Sequence, residues 1–445
     1  MTVFDEIAEK TGDDQWEEWK KEVLGARDEI AAFVAHRRLG GKAKEVIDWF
    51  EGSFNFCLQV TFNDGGPDAI IRFPGLGHTT FREEKIANEV QIIKFLREQT
   101  TIPVPRLISW GLTEDSPQHF GPFIISDFVE GVHLSDILRD PTDRKRLYLN
   151  PKIDGRTLDI IFDQIADILL QLFQFNFDRI GAISKDPTLN IWSVTGRPLT
   201  YNMNELATTA FYPVDKFPTA PFESASEYFR SLIYEHKTHL WTQRNLSTNL
   251  EDAQERYVAR HLFAQLVDKY CIDDCGPFKL FCDDFRPQNM LVDPKTLRIT
   301  AVLDLEFTNA MPGQYSSEPP WWLLLAGPDS YLFRGRTIEE FVAAYEPCLE
   351  QFLQAMQRAE RARGTLHVDK PLSSLMRESW LTKRFWFNYA ARKPFDVEVL
   401  FHNCLNEGGA GAESLDEEAR AGLEPFVQMK MKQLRAYDND CKKFL

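Results

Sequence analysis

Apolar residues change their period several times along this chain, and each change marks an expected element. Up to about Lys44, Trp16, Trp19, Val23, Ile30, Phe33 and Val34 form a stripe among charged helix formers, which predicts a helical lead-in over residues 1–45. From Val46 the pattern turns to strands. CLQVTF at Cys57–Phe62 and AIIRF at Ala69–Phe73 flank NDGGPD, whose Asn, Asp, Gly and Pro suit a hairpin loop. Helical spacing returns over Arg82–Gln99, where Ile86, Val90, Ile93 and Leu96 recur; Glu89 lies one turn from Ile86 and Ile93 and shares their inward flank. Pro103 and Pro105 stop that helix because they force their predecessors into extended conformations. RLISWG and PFIISDF then read as two more strands, and past Gly131 a helix capped by Ser135 is expected.

The remainder is mainly helical. Thr157–Phe177 is the strongest amphipathic stretch and predicts a core helix. Gly181–Tyr212, rich in Pro, Thr, Asn and Gly, predicts a loop or lid. Phe222–His239 and Leu250–Tyr270 return to helix spacing, with His236 and His239 expected on a helix surface. The tail from Ile338 is helical again, and NEGGAGAESLDEEARAG within it is expected as a surface loop.

Lys279–Phe307 carries the candidate chemistry. Phe278, Leu280 and Phe281 lead in; Met290–Val292 and Ile299–Leu303 are two further apolar runs separated by the turn signal Asp293-Pro294-Lys295. A loop followed by a β-hairpin would return Asp304, at the end of the second strand, to Asn289 at the start of the first. An Asp and an Asn together suit Mg²⁺, which takes a few protein oxygens and keeps its other positions for phosphate and water. Asp284 stands in the preceding loop, and spacing to Asn289 favours it over Asp283.

CDDFRPQN at Cys282–Asn289 resembles the catalytic loop of the protein kinase-like superfamily, His-x-Asp-x-x-x-x-Asn, and LDLEF resembles its metal-binding segment. Asp304-Leu305-Glu306 in place of Asp-Phe-Gly, with no Ala-Pro-Glu after it, is similar to the aminoglycoside phosphotransferase and choline kinase branch. The resemblance implies a bilobal α/β fold: a β-rich small lobe over residues 46–128 and a larger helical lobe over 129–445. It implies ATP as co-substrate and phosphoryl transfer to a hydroxyl of a small molecule. Asp284 would orient the acceptor hydroxyl and take its proton, while Asn289 and Asp304 would hold Mg²⁺. The turn at Gly52 and Ser53 would cover the phosphates, Arg72 would grip them, Glu89 would pair with Arg72, and the backbone of Asp127, Phe128 and Val129 would meet the adenine. Three departures stand out: Cys282 replaces the usual His, Arg72 the usual Lys, and the covering turn has one glycine. Arg keeps the permanent charge and a donor fork that suits phosphate. The same departures motivate the alternative of a nucleotide-binding pseudokinase. Trp321 and Trp322 follow two prolines beside the expected acceptor pocket and are read as anchors of that segment.

Composition narrows the partners. A net charge of -16 disfavours nucleic acid or an anionic membrane as the main partner, since both need basic surface. No signal-like amino terminus or long apolar run occurs, and 7 scattered cysteines form no disulfide framework, so a cytoplasmic protein is expected. Cys271 and Cys275 lack the second pair that a metal site would need.

Overall fold

A sheet of antiparallel pairs organises the first third of the chain, and its period-2 alternation decides what each face touches. The structure, a computed structural model, describes residues 3–38, 43–143, 145–365 and 370–444; parts of the expected lead-in (1–2, 39–42) and helical tail (366–369, 445) lie outside them. Helices α1 (Glu6–Gly25) and α2 (Arg27–Arg38) precede strands β1 (Ala43–Glu51), β2 (Asn55–Phe62) and β3 (Ala69–Pro74), then α3 (Arg82–Gln99), β4 (Leu107–Gly111) and β5 (Phe123–Asp127). The strand order is β1-β2-β3-β5-β4. Phe56, Leu58 and Val60 of β2, with Ile71 and Phe73 of β3, pack against Trp16, Trp19, Val23, Ile30 and Val34. Alternation turns Cys57, Ile70 and Arg72 to the opposite face. The apolar residues of α3 join the core of the second lobe instead, together with Ile124, Leu134 and Leu158. Helix α3 therefore belongs energetically to both halves.

The amino-terminal segment also crosses between the halves. Asp5 caps α1 by accepting from the Ile7 and Ala8 amides at 3.0 and 3.1 Å, and accepts from the Tyr437 hydroxyl at 3.2 Å. Its own amide donates to the Thr209 carbonyl, and the Gln243 and Asn245 side chains donate to the carbonyls of Val3 and Phe4. The start of α1 is thus fixed to the helical lobe while its body covers the sheet.

After β6 (Val132–His133) and α4 (Leu134–Leu138), the long helix α5 (Gly155–Phe173) forms the centre of the second lobe. Ser135 lies inside α4 rather than capping it; the N-cap position is His133, and the Ser135 side chain is buried. The expected loop over Gly181–Tyr212 holds a hairpin, β7 (Ala182–Lys185) with β8 (Trp192–Gly196), and helix α6 (Tyr201–Thr209). Its polar composition misled because Asn202 and Asn204 are buried, where Asn202 donates to Glu235 and Asn204 accepts from the Thr80 amide. Helices α7 (Ala225–Thr242), α8 (Leu250–Gln265) and α9 (Val267–Tyr270) lead to β9 (Lys279–Phe281), β10 (Met290–Val292), β11 (Ile299–Val302) and β12 (Asn309–Met311).

His236 and His239 are not on a surface but 1% and 0% exposed. A ring nitrogen of His236 bonds the Ala391 carbonyl, and the buried Arg260 reaches His239, the Pro394 carbonyl and Glu398. Burial pushes His236 down to about 3, so it stays neutral. The segments that cover α7 come from far down the chain, which periodicity within one helix could not reveal. The later helices are α10 (Gly313–Ser316), α11 (Pro328–Phe333), α12 (Ile338–Arg363), α13 (Leu372–Leu381), α14 (Arg384–Ala391), α15 (Val397–Leu400) and α16 (Glu417–Phe444), of which α10, α14 and α16 set Tyr315, Phe387 and Phe426 against Tyr228, Phe229 and Trp241 of α7. The last begins inside the expected surface loop, so only the first part of NEGGAGAESLDEEARAG is non-helical or a single short turn.

The buried contact between α6 and α7 makes a pH prediction. Glu235 is 2% exposed, and burial pushes its carboxyl up to about 8. Its folded value lies above the unfolded one, near pH ~4.3, so the stability it allows is complete below that pH and is lost as pH rises towards the folded value. Glu235→Gln keeps an oxygen for Asn202. It should match the wild type in urea melts near pH 4 and gain roughly 1.4 kcal/mol per pH unit up to the folded value. A gain independent of pH would contradict this origin.

Candidate active site

Three turns place the candidate residues. The β1–β2 hairpin closes where the Gly52 amide donates to the Asn55 carbonyl at 2.9 Å, and the Ser53 carbonyl meets a ring nitrogen of His78 at 3.1 Å. The loop after β9 ends in a turn over Pro287–Asn289. The β10–β11 hairpin pairs Met290 with Val302, and the Leu303 amide donates to the Asn289 carbonyl at 2.7 Å. Asn289 is thereby next to the strand end that carries Asp304, as the hairpin pattern predicts. Gln164 of α5 braces this hairpin, accepting from the Ile299 amide at 2.9 Å and donating to the Leu297 carbonyl at 2.8 Å. After Asp304 the chain returns beside the loop, because β12 pairs with β9 through Asn309 and Phe281.

Arg72 is where the two halves meet. From β3 its guanidinium contacts Glu89 of α3, and its Nη1 donates to Asp304 at 2.8 Å and lies 3.7 Å from Glu306. Glu306 is 3% exposed and also contacts Lys85 Nζ at 2.5 Å and Asn55 Nδ2 at 2.8 Å; the same Lys85 donates to Asn55 Oδ1 at 2.8 Å. Burial pushes Asp304 well above the usual carboxylate range and the charge of Glu306 adds to it, against the pull of Arg72. Burial acts on Glu306 too, yet Lys85 and Arg72 outweigh it and hold its carboxyl below the ordinary value. Asp304 takes φ of +58°, a left-handed conformation that an Asp tolerates better than most residues. Lys85, Asn55 and Glu306 were not singled out in the sequence. The signal was a Lys one helical turn before Glu89, at a position that the apolar spacing places inward.

On the other side, Asn289 Nδ2 donates to Asp284 Oδ2 at 2.8 Å and to the Asp284 carbonyl at 2.9 Å, and Arg286 lies 2.6 Å from Asp284 Oδ1. Asp284 is pushed upward by burial, with Arg286 and Asn289 opposing. Asp283 turns elsewhere. Its carboxylate is 3.4 Å from Arg392, whose guanidinium lies over the rings of Phe281 and Tyr315, and its carbonyl accepts from the Trp321 indole at 3.3 Å. Trp322 is 3% exposed and serves as an anchor, whereas Trp321 is half-buried beside the loop. Lys393 completes that side, its ammonium 5.5, 5.9 and 5.6 Å from the ring centres of Tyr201, Trp321 and Tyr389. Burial pushes the Cys282 thiol upward, and Cys282 borders a cavity of about 60 Å³ also lined by Phe173, Leu280, Phe285 and Glu318.

The three residues expected at the adenine, Asp127, Phe128 and Val129, are less converged. Asp127 is tied to Arg106 by two bonds of 2.9 Å, the Phe128 amide donates to the Asp68 carbonyl, and the Phe128 ring stacks on Phe50 with centres 6.0 Å apart. The Phe128 amide is therefore already engaged, and Val129, the next residue, is half-buried.

Asn289 uses its amide nitrogen on Asp284, which leaves its side-chain oxygen as a ligand; Asp304, at the end of the adjoining hairpin strand, supplies a carboxylate. An amide oxygen and one carboxylate fit the hard, water-rich coordination of Mg²⁺.

The profile of the phosphotransferase enzyme family matches residues 58–346. Among curated proteins, a stretch of 151 residues is 26% identical to "altered inheritance of mitochondria protein 9, mitochondrial" of Yarrowia lipolytica (strain CLIB 122 / E 150), covering 32% of this chain and 23% of that one. The chain thus spans about a quarter of the length of that relative. Similar solved structures include ethanolamine kinase from Plasmodium vivax, 11% identical over 95% of this chain and 94% of that one with a TM-score of 0.45. A Ralstonia eutropha JMP134 protein classed with the aminoglycoside phosphotransferases is 14% identical over 91% and 98%, with a TM-score of 0.46.

The geometry predicts unequal effects of two changes at Arg72. Arg72→Ala leaves Glu89 and Asp304 without their shared cation and should lower stability in denaturant melts by about 3–5 kcal/mol, whereas Arg72→Lys should lose clearly less. Equal losses would show that the charge is not what matters there.

Proposed function

We propose, from the premise that the chain belongs to the phosphotransferase enzyme family, that it transfers the γ-phosphoryl group of ATP to a hydroxyl of a small molecule. One observation carries the reading: Arg72 from the sheet lobe reaches Asp304 at 2.8 Å, and the β10–β11 hairpin sets Asp304 beside Asn289, which is bonded to Asp284. A cation, a carboxylate and a carboxylate–amide pair converge from three separate segments, which suits a reaction governed by positioning and charge neutralisation.

In this reading Asn289 and Asp304 hold Mg²⁺, which when bound would neutralise phosphate charge. Arg72 offers a fork of donors to phosphate oxygens once it exchanges Asp304 for them. The hairpin turn at Gly52 and Ser53 covers the phosphates. Asp284, fixed by Asn289 and Arg286, accepts a hydrogen bond from the acceptor hydroxyl, orients its oxygen towards the phosphorus, and takes the proton as the new bond forms. Its raised carboxyl is consistent with a proton acceptor late in transfer. Adenine would meet the backbone beyond Asp127, with Val129 rather than Phe128 as the available amide. The acceptor would enter between Trp321, Lys393 and the loop. The described residues include no helix long and apolar enough to cross a membrane, and we place the activity in the cytoplasm.

Thermal melts test the metal assignment: ATP should raise the melting temperature with Mg²⁺ and much less in chelator, and Asp304→Ala should lose that dependence. Equal stabilisation in chelator would remove Asn289 and Asp304 from the metal site. For the chemistry, a screen of hydroxylated metabolites supplies the acceptor. Asp284→Asn should then lower kcat by about 10²–10⁴-fold with Mg²⁺-ATP affinity nearly unchanged, while Asp283→Asn affects kcat far less. The reverse pattern would shift the loop assignment by one residue, and binding without any turnover would favour a nucleotide-binding protein.

A further inference from the structure

We propose that Lys85 is a positioning residue: it keeps Glu306 committed to the protein, so that Arg72 is free to move from Asp304 to the phosphates of the bound nucleotide. This rests on the phosphotransferase reading above.

The cluster joins two cations, Arg72 and Lys85, to three carboxylates, Glu89, Asp304 and Glu306. Lys85 and Glu89 stand one turn apart on the inward face of α3, 1% and 3% exposed. Burying a lysine is expensive unless its charge is matched, and apolar packing at this position would cost less. A stabilising role alone therefore explains its presence poorly. The partners divide the work. Glu306 receives Lys85 at 2.5 Å while Arg72 stands off at 3.7 Å; Asp304 receives Arg72 at 2.8 Å. Asn55 locks this division, accepting from Lys85 through Oδ1 and donating to Glu306 through Nδ2, both at 2.8 Å.

Without Lys85, the uncompensated carboxylate of Glu306 in a medium of low dielectric would draw the nearest cation. That cation is Arg72, 3.7 Å away. An Arg72 held by both Glu89 and Glu306 would be lost to the nucleotide. Asn55 also begins β2 directly after the phosphate-covering turn, so the same lysine links that turn to the segment that holds Asp304. Lys85 touches neither nucleotide nor acceptor in this scheme, and its effect runs through Arg72.

A charge-removal cycle tests it, with Lys85→Met, Glu306→Gln and the double variant of the full chain, read by urea melts and by calorimetric titration with Mg²⁺ and AMP-PNP. Lys85→Met should weaken nucleotide binding about tenfold or more, and Lys85→Met/Glu306→Gln should recover most of that loss because the competing charge is gone. Recovery of urea stability without recovery of affinity would reduce Lys85 to a structural charge partner and overturn the proposal. No recovery of either would overturn the pairing itself. If Lys85→Met does not fold, a double variant that folds and binds supports the proposal, and one that also fails to fold sinks it. A wild-type chain that melts cooperatively yet binds no Mg²⁺-nucleotide would instead defeat the phosphotransferase reading, and this inference with it.

Discussion

The guanidinium of Arg72 is the contact on which the cleft depends. It lies half-buried between a strand, a helix and the segment after the β10–β11 hairpin, and touches a carboxylate from each of the last two. A cation largely withdrawn from water requires matched partners, so the positions of α3 and of Asp304 are set with respect to β3. The chain spends its packing on that alignment. Helices α1 and α2 cover the far face of the sheet, the inward face of α3 joins the helical lobe, and the segment before α1 is bonded to residues on α6, after α7 and on α16.

Charge excess in the cleft is resolved by division rather than by neutralisation. Glu306 is paired so closely that its carboxyl falls below the ordinary range, while Asp304, two residues away, rises well above it. Two carboxylates of similar intrinsic acidity are driven apart by which cation each receives. The one that keeps the higher affinity for positive charge is the one facing the hairpin with Asn289. The departures from the familiar loop fit the same logic. Cys282 borders the cavity and its thiol donates to the Glu306 carbonyl at 4.0 Å, and the loop is held further by Arg286, Asn289 and the Trp321 indole.

Beside the loop, Asp283 and Asp284 illustrate how adjacent carboxylates acquire different environments. One turns to Arg392 under the rings of Phe281 and Tyr315, the other to Asn289 and Arg286. The two are the central residues of a turn closed by the Phe285 amide on the Cys282 carbonyl at 3.3 Å, and the turn sends their side chains in different directions. Lys393, with its three aromatic neighbours, faces the same groove.

Local signals in the chain were strong where the physics is local. Period-2 alternation marked β2 and β3 and put Arg72 on the face away from Phe73; helical spacing marked α3 and the inward flank of Glu89; turn residues marked the hairpin that returns Asp304 to Asn289. These depend on neighbours within one turn or one strand pair, which sequence by itself determines. What it left open were the identities of partners contributed from far away. Lys85 and Glu306 are 221 residues apart as numbered, Asn55 and Glu306 are separated by 251, and nothing in either neighbourhood announces the pair. The burial of His236 and His239, and the order hidden in Gly181–Tyr212, were decided in the same way, because polar side chains leave water only when distant segments supply their bonds. Tertiary structure alone selected those partners, and with them the division of charge that separates Asp304 from Glu306.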